Sequence, residues 1–129
     1  MNITKSTELT NWYIFGMVSK EMTECLFCKI AGHEVPVVIR YEDDLVIAFD
    51  DIHPAAPVHV VIVPKKHITG LEAIGDDDHR EIMGVFQAVQ KLAENLNLGG
   101  QYKLVVNGPD LRHIDHLHFH LLNRKIDTE

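Results

Sequence analysis

The stretch His116-Leu117-His118-Phe119-His120-Leu121-Leu122 decides how this chain is read. Histidine alternates with apolar residues. In a strand, successive side chains point to opposite faces. The alternation therefore sends three imidazoles one way and Leu117, Phe119 and Leu121 the other. Rings sharing a face stand about 6.5–7 Å apart along the strand, twice the ~3.3 Å rise. The apolar face belongs to a core. Three polar rings on the other face are costly to cover unless that face is a site. A neutral imidazole is a competent nucleophile at neutral pH. Closely spaced rings disfavour one another's protonation, which keeps at least one of them neutral. A ring that does take a charge binds phosphate oxygens or protonates a leaving group. Phosphoryl or nucleotidyl transfer suits such a row. A pure metal site and a solvated strand face are the competing readings.

Working outward from this strand, expected over Asp115–Leu122, Tyr102–Val106 reads as the strand before it, with Asn107-Gly108-Pro109-Asp110 as a turn. Upstream, Ile82, Val85, Phe86, Val89, Leu92, Ala93 and Leu96 recur at 3.6-residue spacing, which predicts an amphipathic helix over residues 79–97. Asp76-Asp77-Asp78 supplies its N-cap, and Gly99-Gly100 its end. His59–Val63 is a β-branched run stopped by Pro64, and Pro64-Lys65-Lys66-His67 is a turn. Val37–Tyr41 and Leu45–Phe49, around Glu42-Asp43-Asp44, predict a hairpin; Asp50–Pro57 is a loop. Cys25–Ala31 forms a short helix ended by Gly32. About five strands without βαβ alternation, one long helix and one or two short ones predict an α+β domain. It is an antiparallel sheet with helices on one side.

The 129 residues allow one domain with a real core. The apolar fraction of 46% and charged fraction of 24% are those of a globular protein. A net charge of −7 argues against sequence-independent binding to nucleic acid, which needs a basic face, though a local pocket can still hold a small anion. No apolar run reaches the ~20 residues of a membrane span. Two cysteines do not make a disulfide scaffold, and a reducing cytoplasm is the expected location. Residues 1–24 read as an N-terminal extension, docked through Trp12 and Phe15, rather than a signal peptide. A start at Met22 is the alternative.

Cys25-x-x-Cys28 has the spacing of half a zinc site. Alone it leaves open a redox dithiol and a pair of buried thiols.

The run HLHFHLL matches the His-x-His-x-His-x-x signature of the histidine triad (HIT) superfamily. Cys25–Ile30, Tyr41–Asp44, Phe49–Pro54, Ala56–His59 and Ile62–Ile68 resemble, in collinear order, its branch of small nucleoside phosphoramidate hydrolases, in the bacterial type with CxxC. The resemblance runs from Cys25 to Arg124, and the HIT-like domain is expected over residues 25–129.

This resemblance implies a HIT-like fold and release of a nucleoside monophosphate from an amine or acyl leaving group, with a purine base. His118 would be the nucleophile, forming a covalent nucleotidyl-histidine that water then hydrolyses. His120 would bind phosphoryl oxygens, and His59 would support the triad from the neighbouring strand. A satisfied core histidine is the other reading of His59. Asp51 would accept the ribose diol, as a two-acceptor carboxylate can, and Ile52 would pack on the base. Asn107 would lie near the phosphate, or else serve only as a turn residue. The same branch implies a structural zinc on Cys25, Cys28, His67 and His116, and a homodimer built on the long helix and the strand before the triad. No cofactor is implied for the chemistry itself, and neither nucleic acid nor membrane is an expected partner.

One segment departs from the family. Gly-Gln-Ser-Val usually precedes the triad; Leu111-Arg112-His113-Ile114 stands here, in a loop about two residues short. Arg112 or His113 is expected to replace the serine by binding phosphate as a cation. A dinucleoside polyphosphate hydrolase and a zinc- or nucleotide-binding interaction protein with little turnover are the alternative functions.

Overall fold

A computed structural model describes residues 24–123. The readings of residues 1–23, including docking through Trp12 and Phe15 and the start at Met22, lie outside the described residues. In chain order the elements are α1 (Leu26–Ala31), β1 (Ile39–Glu42), β2 (Val46–Asp50), β3 (Val58–Pro64), α2 (His79–Asn95), β4 (Lys103–Val106) and β5 (Phe119–Asn123). Three 3-10 turns, Leu71–Ala73, Asp76–Asp78 and Pro109–Leu111, fall in the connections. The strands form one sheet in the order β1-β2-β3-β5-β4, antiparallel throughout. This is the expected α+β architecture.

Helices cover both faces of the sheet rather than one. Val46, Ala48, Val60, Ile62, Leu117, Phe119 and Leu121 pack with Val85, Ala88, Val89 and Leu92 of α2. The alternate residues Ile47, Phe49, Val61 and Val63 pack with Cys25, Phe27 and Ile30 around α1. Strands buried on both sides read as continuous apolar runs, which is why VIAF and HVVIV show no alternation. A fully buried leucine such as Leu92 contributes roughly 1.5–3 kcal/mol of transfer free energy.

The last strand is shorter than expected. It begins at Phe119, not at Asp115, because β3 has run out of partners. The pairing ends at Ile62↔Phe119; Pro64 has no N–H to give, and its carbonyl accepts a hydrogen bond from the His116 ring. Residues 115–118 nevertheless keep the alternation. Leu117 is buried under α2, while His116 and His118 are buried on the α1 side. The end of α2 also differs. Asn97, at φ 56°, turns the chain, and the Leu98 N–H donates to the Ala93 carbonyl, so the helix closes before Gly99-Gly100 is reached. Likewise His33 at φ 63°, not Gly32, takes the left-handed position after α1.

Candidate active site and metal centre

His118 lies at the junction between the loop and β5. Its Nδ1 is 2.8 Å from the His116 carbonyl oxygen. A carbonyl only accepts, so Nδ1 carries the proton and Nε2 keeps its lone pair. The Phe27 ring meets the His118 ring edge-on at 5.0 Å. Burial lowers the His118 pKa, against the hydrogen bond to the His116 carbonyl, so the ring favours its neutral form.

The next ring has the opposite polarity. The Ala55 N–H donates to His59 Nδ1 at 3.0 Å. A neutral imidazole with Nδ1 accepting must carry its proton on Nε2. That proton points at His120 Nδ1, 2.9 Å away. His120 therefore accepts at Nδ1 and keeps its own proton on Nε2. Burial and the neighbouring His118 and His59 rings lower its pKa. His118 and His120 have their ring centroids 5.1 Å apart. The row thus presents a lone pair on one ring and an N–H on the next, which suits attack at a centre whose oxygens need a donor.

Asp51 completes this end. Its Oδ2 is 3.4 Å from His59 Nε2, and its Oδ1 accepts the His53 N–H at 2.8 Å. Asp51 and His59 line a cleft of about 170 Å³ with Arg40, Pro54 and Pro57. Asp50 is committed elsewhere, to a two-point pair with Arg40 at 2.8 and 2.7 Å. Ile52 is 82% exposed, free to meet a ligand. Asn107 is half-buried at the end of β4, and His113 is exposed. Arg112 is already engaged: its Nη atoms donate to Glu72 at 3.0 and 2.7 Å, and its Nε to Asp115 at 2.9 Å.

Cys25, Cys28, His67 and His116 converge on the other side of Phe27. Their four ligand atoms lie within 4.8 Å of one another. Cys25 Sγ is 3.3 Å from His116 Nδ1, and Cys28 Sγ is 3.1 Å from His67 Nδ1. The His116 Nε2–H donates to the Pro64 carbonyl at 2.8 Å, which leaves Nδ1 unprotonated toward the sulfurs. The Cys28 side chain lowers the Cys25 pKa, and Cys25 raises that of Cys28, so one thiolate is favoured even without a metal. Two sulfurs and two imidazole nitrogens fit a closed tetrahedral site. The Asp51, His59 and His120 grouping does not fit one: the hydrogen bonds above consume the His59 Nδ1 and Nε2 positions.

Sequence reading missed Phe27, the Ala55 N–H and the Pro64 carbonyl. Phe27 had a signal, since it lies between the two cysteines; the backbone groups had none.

A five-stranded antiparallel sheet carrying a His-x-His-x-His row beside a Cys2His2 cluster defines a histidine-triad protein. Residues 24–129 match the family described as "Scavenger mRNA decapping enzyme C-term binding". An uncharacterised HIT-like protein of Synechocystis sp. is 40% identical over 101 residues, 77% of this chain and 89% of that protein. The 14 kDa zinc-binding protein of Zea mays is 41% identical over 102 residues, 75% of this chain and 79% of its own. A HIT family hydrolase from Clostridium thermocellum has a TM-score of 0.76 at 40% identity, covering 80% of this chain and 92% of that one. The chain belongs to the HIT family.

Nitrogen NMR of the imidazoles near neutral pH is expected to show His118 protonated on Nδ1 and His59 on Nε2. His118 protonated on Nε2 alone would refute the assignment of the free lone pair to Nε2.

Proposed function

We propose that this protein is a hydrolase that cleaves the bond between the α-phosphate of a nucleoside monophosphate and an amine or acyl group. The observation that carries this reading is the His118 Nδ1–H bond to the His116 carbonyl, which frees Nε2 beside the donor on His120. His118 Nε2 attacks the α-phosphorus. The bond to the leaving group breaks with its electron pair: a carboxylate departs as the anion, and an amine departs after its nitrogen takes a proton from solvent water. Water then attacks the phosphorus of the nucleotidyl-His118 adduct, releasing the monophosphate and restoring the imidazole. His120 holds the phosphoryl oxygens through its Nε2–H, and His59 holds His120 in that tautomer. Asp51 accepts the ribose hydroxyls, Ile52 covers a purine base, and Asn107 and exposed His113 stand toward the phosphate. The similarity to a HIT family hydrolase from Clostridium thermocellum supports the reaction class.

Turnover of adenosine 5′-phosphoramidate and an AMP-lysine conjugate tests this, with acid-quenched mass spectrometry for the adduct. Wild type is expected to turn over and to form the adduct, and His118→Ala to lose both, with a kcat loss of about 10³-fold or more. Equal rates in the two proteins would refute the mechanism. Nucleotide binding without turnover in the wild type would favour an interaction protein instead.

The second cluster is a structural zinc site formed by Cys25, Cys28, His67 and His116. The ligand set and the zinc-binding Zea mays relative support it. Zinc would fix α1 to the segment that carries the nucleophile; it takes no part in the chemical steps. Protein purified without added metal is expected to hold about one zinc per chain. Less than about 0.2 per chain, without chelator exposure, would refute a tight site.

The assembly is a homodimer formed through α2 and β4. Among the described residues β4 is an open edge of the sheet, and Met83 and Phe86 on α2 are 57% and 46% exposed. Light scattering is expected to give twice the chain mass, and a monomer at micromolar concentration would refute it.

A further inference from the structure

Arg112 stands between the 3-10 turn Pro109–Leu111 and the histidine row. Its side chain is only 4% exposed, although its partners Glu72 and Asp115 are 44% and 71% exposed. A guanidinium covered to this extent needs its partners, because an unpaired buried charge is costly. The pair with Glu72 is two-pronged, and Nε is taken by Asp115, so the orientation of the plane is fully specified.

Gly70 makes the room for it. A Cβ on Gly70 would stand 2.7 Å from the Arg112 guanidinium carbon and 2.8 Å from Glu72 Oε1. Gly70 has φ −177°, which any residue adopts, so glycine is needed here for space and not for conformation. The Nη1 arm of the fork and its Glu72 partner oxygen therefore lie over bare backbone.

The fork joins two particular segments. Residues 112–118 lead into the nucleophile and lie outside β5 until Phe119. Residues 67–72 follow the metal ligand His67. The two are tied again by the Leu117 N–H donating to the Ile68 carbonyl at 2.6 Å. Between these ties lies His116, whose carbonyl sets the His118 tautomer. With no sheet ladder to hold residues 112–116, the fork holds the start of the segment, while this backbone bond, the Ile114 packing and the His116 ring bond to the Pro64 carbonyl hold its end.

We infer that Arg112 is a positioning residue: locked to Glu72 over Gly70, it fixes the approach of residues 112–118 and so aims His118 Nε2, and it does not take the substrate phosphate. This rests on the hydrolase reading above and replaces the expectation that Arg112 binds phosphate.

The test uses the full chain as purified, in four variants: Arg112→Gln, Arg112→Lys, Glu72→Ala and Gly70→Ala. Zinc content and Tm are measured beside kcat, KM and the Kd of AMP. All four variants are expected to lose about tenfold to a hundredfold in kcat, the scale of a misplacement near 1 Å. KM and the AMP Kd should stay within about twofold. Lysine keeps the charge but not the fork, so Arg112→Lys should fail to rescue kcat. Gly70→Ala and Glu72→Ala keep the arginine but dislodge its side chain, so they decide the matter if the Arg112 variants do not fold.

A rise in KM and Kd confined to Arg112→Gln, relieved in Arg112→Lys, would overturn the inference in favour of phosphate binding. Wild-type kinetics in Gly70→Ala and Glu72→Ala would also overturn it. If the wild type forms no adduct, the hydrolase reading fails separately. The position of His118 is then read by NMR. Faster water exchange of its Nδ1–H in Gly70→Ala supports the inference, and an unchanged signal overturns it.

Discussion

The hydrogen bonds around His116 hold the site together. The ring donates from Nε2 to the Pro64 carbonyl, presents Nδ1 to the two cysteine sulfurs, and its backbone carbonyl accepts from His118 Nδ1. One residue therefore ends the β3–β5 ladder, offers a donor atom to the cysteine cluster and selects the nitrogen that His118 exposes. Each role leaves the others satisfied: the ring uses one nitrogen for the carbonyl and one for the sulfurs. A buried imidazole with both nitrogens occupied carries no orphaned polar group, which makes its complete burial tolerable.

Phe27 couples that junction to the sheet. It lies between Cys25 and Cys28 on α1 and packs against His116, His118 and Phe49, with centroids 5.9, 5.0 and 5.8 Å away. The helix that carries Cys28, with Cys25 at its N-cap, thus also covers the His118 ring and excludes water from one side of it. Burial then favours the neutral ring. The sheet's other face is filled by α2, so the histidine row stands on a support packed from both sides. Such a support limits the side-chain displacement that catalysis tolerates.

Much of this was legible beforehand. The alternation in HLHFHLL correctly put Leu117, Phe119 and Leu121 on one face and the histidines on the other, even though the strand starts only at Phe119, because extended backbone alternates with or without ladder bonds. The apolar spacing from Ile82 to Leu96 located α2. The ends were less legible. Asn97 rather than Gly99 closes α2, since asparagine also tolerates the left-handed region. The second helical layer was misjudged because continuous apolar strands signal burial on both faces, and α1 is only six residues long. Arg112 was legible as a cation but not as a committed one, because Glu72 lies forty residues upstream.

By itself, the sequence determined the residue types and the local periodicity. Those gave the five strands, the long helix, the histidine row on the face opposite Leu117, Phe119 and Leu121, and a paired-cysteine motif of open meaning. Both properties are local, since side-chain direction follows the backbone period and chemistry follows the side chain. Tertiary structure alone decided the protonation pattern and the commitments of the charged groups. The tautomers of His118 and His59 depend on the His116 carbonyl and the Ala55 N–H. The lodging of Arg112 depends on a glycine and a glutamate from another connection. Hydrogen-bond direction is set by which donor and acceptor meet across the fold, and no spacing along the chain records that meeting.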